Sequence, residues 1–386
     1  MQSPTDSADV IVIGGGIAGT SVAAELADGG GDRAALRVVV LEREPRLGYH
    51  TTGRSAAVYA PSYGPTTVRA LTRASRHAFS TPAPDGTPLT LPRTALFVAR
   101  ADQADAVVSL HDELGDSVKL ISGAQAREMC PLLREDYVAQ ALLDSGTEEI
   151  EVALLHETYQ RRVRASGGEI VPDAEVTGIA RIGADPAGSD WHVETLKGTF
   201  AAPVVINAAG AWADAIARLA GVDPIGLQPK RRTALIVDCP EGFAAERLPM
   251  VVDVEEQFYL KPEAGQLLIS PADATPSPPC DAQPEELDVA ICVDRIETAF
   301  EISVRRIAHK WAGLRSFVAD GEPAAGYAAD APGFFWLAGQ GGYGIQTAPA
   351  LGRMAAALVR HEPIPGDIAA TGVTEALLSP ARPGLG

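Results

Sequence analysis

The 386-residue chain is short of cysteine, of positive charge and of unbroken apolar runs, and each shortage removes a class of function. Its four cysteines, Cys130, Cys239, Cys280 and Cys292, stand far apart with no CxxC pair, so neither a zinc cage nor a redox dithiol is written here. Reduced thiols fit the cytoplasm, which is the expected location. Lysines and arginines number 32 against 50 aspartates and glutamates, a formal net charge of −18. Such a field repels phosphate backbones and anionic bilayers, so nucleic acid is not an expected partner. The apolar run from Val10 to Ala24 is broken by glycines and closed by Glu25, which argues against a transmembrane segment. The residues before it lack the basic start of a signal peptide. There is no repeat, heptad or low-complexity block, residues 271–284 form a Pro-rich stretch that must be loop, and the tail after Pro363 is expected to dock loosely. What remains, 46% hydrophobic and 21% charged, is globular in composition and long enough for two structural units.

The strongest signal present is a nucleotide-binding pattern. DVIVI, residues 9–13, suits a buried parallel strand and runs at once into Gly14-Gly15-Gly16-Ile17-Ala18-Gly19 and a helical TSVAAELA. In a GxGxxG turn the first glycine allows the turn, the second lets backbone approach a pyrophosphate, and the third lets helix pack on strand. The helix N-terminus then favours the phosphates. A second strand, RVVVL at 37–41, ends in Glu42, where a carboxylate can accept from a ribose 2′-OH and argues against NADP. That unit leaves NAD and FAD both open.

Three further segments bear on the choice. Residues 49–57, YHTTGRSAA, form a small polar loop whose hydroxyls and amides can line a cofactor, or simply a surface loop. Residues 204–214, VVINAAGAWAD, run from a buried strand into small residues that permit close backbone approach at Gly210. Residues 334–359 give another strand, a Gly-rich turn and a helix N-terminus late in the chain, a return to the cofactor typical of flavoproteins.

With those residues in view the chain resembles the flavin-dependent D-amino-acid oxidase superfamily, which includes glycine and sarcosine oxidases, and does so over nearly its whole length. GYHTTGRSAA, NAAGAWADAIA, GLQPKRRTA, FYLKPEAG, WAGLRSFVADG and GGYGIQT are most similar to the bacterial D-arginine dehydrogenases. The resemblance implies an α/β fold with a Rossmann-like FAD-binding domain, discontinuous over 1–80, 145–225 and 320–386. It implies a substrate domain on a mixed or antiparallel sheet over 81–144 and 226–319. It also implies noncovalent FAD, since no cysteine occupies the final block. Gly14, Gly16, Ala18 and Gly19 would meet the phosphates, and Glu42, Arg43 and Val176 the adenosine end. Thr51, Thr52, Gly53, Arg54, Ser55, Ala56 and Ala57 would run along the flavin and its phosphates, with Gly210 behind. Gly342, Tyr343, Gly344, Ile345, Gln346 and Thr347 would meet the ring and ribityl chain.

The same resemblance assigns the substrate site. Arg232 and Arg315 would clamp an amino-acid carboxylate, the guanidinium fork being suited to two parallel hydrogen bonds. Tyr63 and Tyr259 would donate to it and close the site, while the Gly342 carbonyl would accept from the amine. Read alone, Arg232 sits in a KRR run that is usually a solvated face; Arg315, between AGL and SFV, is uncomfortable without an anion. The reaction implied is hydride removal from the substrate Cα to flavin N5, giving an imino acid that hydrolyses to a 2-oxo acid and ammonia. It requires no metal and no obligatory general base. Two departures matter: Ala95 stands where the D-arginine dehydrogenases place a glutamate for the basic side chain, and Val58 where they place a histidine. The expected substrate is therefore an uncharged D-amino acid, unless Glu255 or Glu256 replaces the lost carboxylate. An oxidase or desaturase of a secondary or cyclic amino acid is the alternative, and a noncatalytic flavin-binding scaffold is the non-enzyme one. The electron acceptor, oxygen, quinone or another, is left open. A short-chain dehydrogenase is excluded by the absence of any YxxxK.

Overall fold

The computed structural model describes residues 6–29, 34–182 and 190–385; residues 1–5, read above for a targeting signal, lie outside them. Among the described residues the strands form sheets of six, nine, four and three. The six-stranded sheet runs in the order Glu169–Val171, Val38–Leu41, Val10–Ile13, Val204–Asn207, Phe334–Ala338 and Ala324–Tyr327. All its pairings are parallel but the last. Val10–Ile13 is buried at every position, as a strand with covered faces must be, which explains why it reads as a continuous apolar run rather than an alternating one.

Helix Ile17–Ala27 leaves that strand through the glycine turn, and helix Gly344–Val359 packs beside it. Their close approach depends on small residues: a Cβ on Gly352 would lie 2.9 Å from the Ser21 hydroxyl. Both helices begin at the same edge of the sheet, at the carboxyl ends of the parallel strands, where ligands of open α/β sheets bind.

The nine-stranded sheet is built from residues 95–144 and 228–317. It is antiparallel except where Met250–Asp253 runs parallel to Ala95–Ala99. Its longest pairing joins Gln228–Val237 to Ile307–Phe317, with Arg232 opposite Gly313 and Arg315 opposite Lys230. Because side chains alternate along a strand, Arg232 and Arg315 fall on one face as diagonal neighbours. The second core gathers on this sheet around Leu235, Leu260, Phe258, Phe300 and Ile296.

Two expectations need correction. The tail after Pro363 is not loosely docked: Ile368, Val373 and Leu378 are fully or almost fully buried, and Arg382 pairs with Asp320 at 2.7 Å. Its short helices, Gly366–Ala369 and Glu375–Leu378, present one apolar residue at a time, too sparse a pattern to read as amphipathic. The Pro-rich stretch is loop for most of its length, but Thr275–Pro276 adds a two-residue strand against Lys230 and Arg231. No helix among the described residues is long and apolar enough to cross a membrane.

Candidate active site

The glycine turn is held open by residues far from it in sequence. Gly14 has φ +111°, and a Cβ there would lie 2.4 Å from the Ala208 carbonyl oxygen, so only glycine is tolerated. Glu42 does not wait with a free carboxylate. Its oxygens accept from the amides of Gly15 at 2.8 Å and Glu44 at 2.9 Å. Burial nevertheless holds its pKa above the ordinary value. The Thr52 hydroxyl accepts from the Ile17 amide at 3.0 Å, taking one of the open donors at the helix start. His156 donates from Nε2 to the Gly15 carbonyl at 2.9 Å and accepts at Nδ1 from Gln160; burial lowers its pKa, favouring this neutral tautomer. Nothing in the HETYQ segment around His156 marks it as a supporter of the glycine turn.

A cavity of ≈ 340 Å³ runs from this turn to the nine-stranded sheet. One end is lined by Glu42, Arg43, Val176, Trp212 and Leu219, the middle by Gly14, Gly16, Ala18, Thr51 and Thr52, and the far end by Arg54, Ser55, Ala56, Arg315, Gly342, Gly344 and Ile345. Gly210 lines it as well. The Arg43 guanidinium lies 4.4 Å from the Trp212 ring centroid, and His50 packs on the same ring at 4.7 Å, a shelf that no sequence pattern marks. Gln340 also lines the cavity, and its Nε2 is a buried donor with no partner among the described residues. An elongated groove with two helix starts, a glycine cradle and an unused buried donor fits an extended dinucleotide.

Six of the expected cofactor contacts lie outside this lining, Ala57 and Gln346 among them, which line an adjoining cavity instead. A Cβ on Gly19 would fall 1.9 Å from the Gly14 carbonyl, so this glycine serves helix packing; Gly53 closes its own turn, its amide donating to Gly48 at 2.8 Å. Thr347 is fully buried with its hydroxyl on the Tyr343 carbonyl. Tyr343 packs edge-on against Tyr63 at 5.1 Å, and burial raises its phenol pKa, so it stays protonated.

A second cavity of ≈ 70 Å³ adjoins the first, sharing Ser55, Ala56, Arg232, Tyr259, Arg315, Gly342 and Ile345 with it. Its own walls are Ala57, Val58, Tyr63, Ala95, Phe97, Thr147, Met250, Val252, Glu256 and Gln346. By the same measure this cavity is about a fifth of the size of the first. Val58 and Ala95 thus both line this chamber. Glu256, in a left-handed backbone conformation at φ +56°, reaches its rim, whereas Glu255 turns away to accept from Gln103 at 2.9 Å.

The three cations of the KRR segment separate sharply. Arg231 is surrounded by Asp273, Glu285 and Asp288, and Lys230 lies over the Phe317 ring at 5.3 Å. Arg232, on the opposite face from Arg231, donates from Nε to the Asp273 carbonyl at 2.7 Å and has no carboxylate within salt-bridge distance among the described residues. The solvated-face reading of this run therefore fails: alternation along the strand gives Arg231 the acids and turns Arg232 into the cavity. Burial, and then the neighbouring Arg315 charge, hold the Arg232 pKa below the ordinary value. Arg315 likewise has no ion pair there. Burial works against its charge, but the Tyr63 and Tyr259 hydroxyls and Glu256 outweigh it and keep it cationic. A Cβ on Gly342 would press to 2.8 Å from the Arg315 guanidinium, so glycine makes room for that side chain. The Pro-rich loop braces the site from outside: the Asp273 carboxylate accepts from the Thr233 amide, Arg54 pairs with Asp281, and Arg54 donates to the Ala312 carbonyl at 2.9 Å.

Comparison with known proteins agrees with this architecture. The human mitochondrial sarcosine dehydrogenase is 27% identical over 92% of this chain, which spans 40% of that protein. Glycine oxidase of Geobacillus kaustophilus is 25% identical over 95% of this chain and 96% of its own. Among solved structures, the FAD-bound L-α-glycerophosphate oxidase of Mycoplasma pneumoniae superposes with TM-score 0.81 at 20% identity, covering 92% of this chain and 95% of that one. The G. kaustophilus glycine oxidase superposes with TM-score 0.76 at 24% identity, covering 96% and 99%. The relatives found include sarcosine dehydrogenase and glycine oxidase and do not single out the D-arginine dehydrogenases. The DAO family of FAD dependent oxidoreductases matches residues 9–358, and the chain belongs to that family, with FAD as its cofactor.

Proposed function

We propose that this protein oxidises a small, uncharged amino acid at the bond between Cα and nitrogen, and that sarcosine-like or glycine-like substrates are preferred to larger D-amino acids. The observation that carries the proposal is the pair Arg232 and Arg315: two half-buried guanidinia with no carboxylate partner among the described residues, on the wall shared by both cavities. Two such charges call for an anion, and a carboxylate meets both forks. The second cavity is small beside the first, and relatives acting on sarcosine and glycine align over nearly the whole chain. These points favour the secondary-amine or glycine-type reading over the D-amino-acid one.

In this account FAD would lie along the first cavity, with Arg43, Val176 and the Trp212 shelf at the adenosine end, Gly14, Gly16 and Ala18 at the phosphates, and Gly342, Gly344 and Ile345 at the ring. Bound there, it supplies the two-electron acceptor for hydride leaving the carbon next to nitrogen. Arg232 and Arg315 fix the carboxylate, which sets where Cα lies, and positioning of this kind is worth several kcal/mol of barrier. Their positive field disfavours an ammonium beside them and so promotes the neutral amine that must react. Tyr63 and Tyr259 close the chamber and keep water out. We assign the cofactor unit to 1–80, 145–225 and 320–386, the substrate unit to 81–144 and 226–319, and the cytoplasm as location. A second reading, an uncharged D-amino acid, rests on Val58 and Ala95, whose apolar surfaces line the chamber.

Steady-state assays with an artificial dye acceptor, run beside a hydrogen peroxide assay in air, test the proposal. Sarcosine, glycine and proline should give the highest kcat/KM. Faster turnover of D-Met or D-Phe than of all three would transfer the assignment to the second reading.

A further inference from the structure

Besides Arg232 and Arg315, one charged residue lines the second cavity, Glu256. Two cations against one acid leave that lining with a net charge of +1, which a single carboxylate neutralises. The Glu256 side chain stands exposed at the rim and makes no hydrogen bond or salt bridge among the described residues, whereas its neighbour Glu255 is engaged with Gln103. Its charge nevertheless reaches the chamber. Burial dominates the titration of Arg232, Arg315 and Tyr343, and on all three the Glu256 carboxylate acts as well, favouring the cationic guanidinia and the protonated phenol.

The residue is held there against a local preference. Glu256 lies in the hairpin that joins Met250–Asp253 to Tyr259–Glu263, with φ +56°, a left-handed conformation that glycine takes freely and a long side chain does not. The turn is fixed from beneath. The Glu256 amide donates to the Asp253 carbonyl at 2.8 Å, and the buried Asp253 carboxylate accepts from the amides of Glu255 at 3.0 Å and Gln257 at 3.3 Å. Tyr137 donates to the same carboxylate at 3.2 Å, and Arg295 donates to the Gln257 carbonyl. A strained position secured this thoroughly beside a ligand chamber points to a side chain kept for function. The other walls, Val58, Ala95, Phe97, Met250 and Val252 among them, offer no cation to a second anion. Without Glu256 the two guanidinia would suit a dicarboxylate; with it, a second carboxylate meets a like charge.

We propose that Glu256 is a specificity-determining residue: its carboxylate rejects dicarboxylates from the chamber and restricts the enzyme to amino acids with a single carboxylate. The inference rests on the function proposed above, which seats the substrate carboxylate at Arg232 and Arg315, and it narrows the substrate class. Repulsion acts across the chamber, so no contact between Glu256 and the bound substrate is needed.

Glutarate and glutaramate test this, because they differ by one negative charge at nearly constant shape and neither carries an amine to be oxidised. Their binding to the FAD-loaded protein is measured by calorimetry. Wild type should bind glutaramate about tenfold more tightly at low ionic strength, and the ratio should narrow as salt screens the exposed acid. Glu256→Gln should bring the ratio to about one or reverse it, and Glu256→Gly, relieved of the left-handed strain, should do the same. Equal binding of the two ligands by wild type, a ratio unchanged in both variants, or no binding of either ligand overturns the inference. Sarcosine oxidation is scored beside it. If sarcosine is oxidised and the ratio ignores Glu256, only this inference falls. If the ratio responds while sarcosine, glycine and proline are left untouched, the inference stands and the function proposed above falls.

Discussion

Replacing Arg315 by methionine should weaken substrate binding by at least about thirtyfold while leaving the folded protein as stable as before. The diagonal cross-strand placement of Arg232 and Arg315 puts their strand positions about 7–8 Å apart, and at an effective dielectric of about 20 two like charges at that separation repel by about 2 kcal/mol. A carboxylate about 4 Å from Arg315 gains about 4 kcal/mol in the same medium. Removing Arg315 loses that attraction, whereas the repulsion, present with and without substrate, cancels from binding; truncating one such charge partner costs at least about 2 kcal/mol. The cost rises toward about 5 kcal/mol where the carboxylate is fully desolvated. At about 1.4 kcal/mol per decade the smaller figure is about thirtyfold. Because Arg315 has no ion pair among the described residues, its removal leaves no paired acid stranded, and Tm should not fall. The assay is anaerobic titration of the holoprotein with sarcosine, reading the half-maximal loss of flavin absorbance, with flavin content and thermal melting measured on the same sample. A half-saturating concentration within twofold of wild type would refute the carboxylate assignment. A large drop in Tm would show instead that Arg315 holds the fold.

Three other outcomes follow from the same geometry. Ala95→Glu places a carboxylate in the second cavity and should raise the kcat/KM for D-Arg and D-Lys relative to sarcosine by an order of magnitude or more; an unchanged ratio would mean that this wall does not meet the side chain. Gly14→Ala forces a Cβ to 2.4 Å from the Ala208 carbonyl at φ +111°, so it should cost about 2 kcal/mol or more and yield protein depleted of flavin; full occupancy would contradict the strained-turn reading. His156 has a folded pKa depressed by burial, so the stability it contributes is complete above its ordinary value of 6.5 and lost as pH falls through the lower folded value. Flavin retention should therefore weaken on acidification below about pH 6.5. His156→Gln should flatten that dependence, whereas an identical profile in the variant would assign it to another group.

The parts legible in the sequence are those written in local spacing. The strand, glycine turn and helix at 9–27 are one contiguous message, and Arg315 betrays itself by standing between apolar neighbours. Arg232 is less legible, because only strand alternation in a known sheet tells it from Arg231, and the acids that claim Arg231 come from the loop and helix at 273–288. Glu42 stands at the position expected of a ribose ligand and lines the groove, yet its oxygens are already engaged with the Gly15 and Glu44 amides, so its role is partly to hold the glycine turn. Thr52, His156 and Asp273 brace the site across 35, 141 and 40 residues respectively, distances at which no periodicity survives. The tail beyond Pro363 misleads for the reverse reason, since its few apolar residues bury completely without forming a stripe.

The most direct measurement is a single anaerobic mixing of the FAD-loaded protein with excess sarcosine, followed at the flavin absorbance band, because it needs no knowledge of the physiological acceptor. Complete bleaching, with a rate that saturates in sarcosine concentration and is lost at the same concentrations in Arg315→Met, is the predicted result. A spectrum unmoved by sarcosine, glycine and proline but bleached at once by D-Arg would contradict the account, returning the chamber around Val58, Ala95 and Glu256 to a basic substrate.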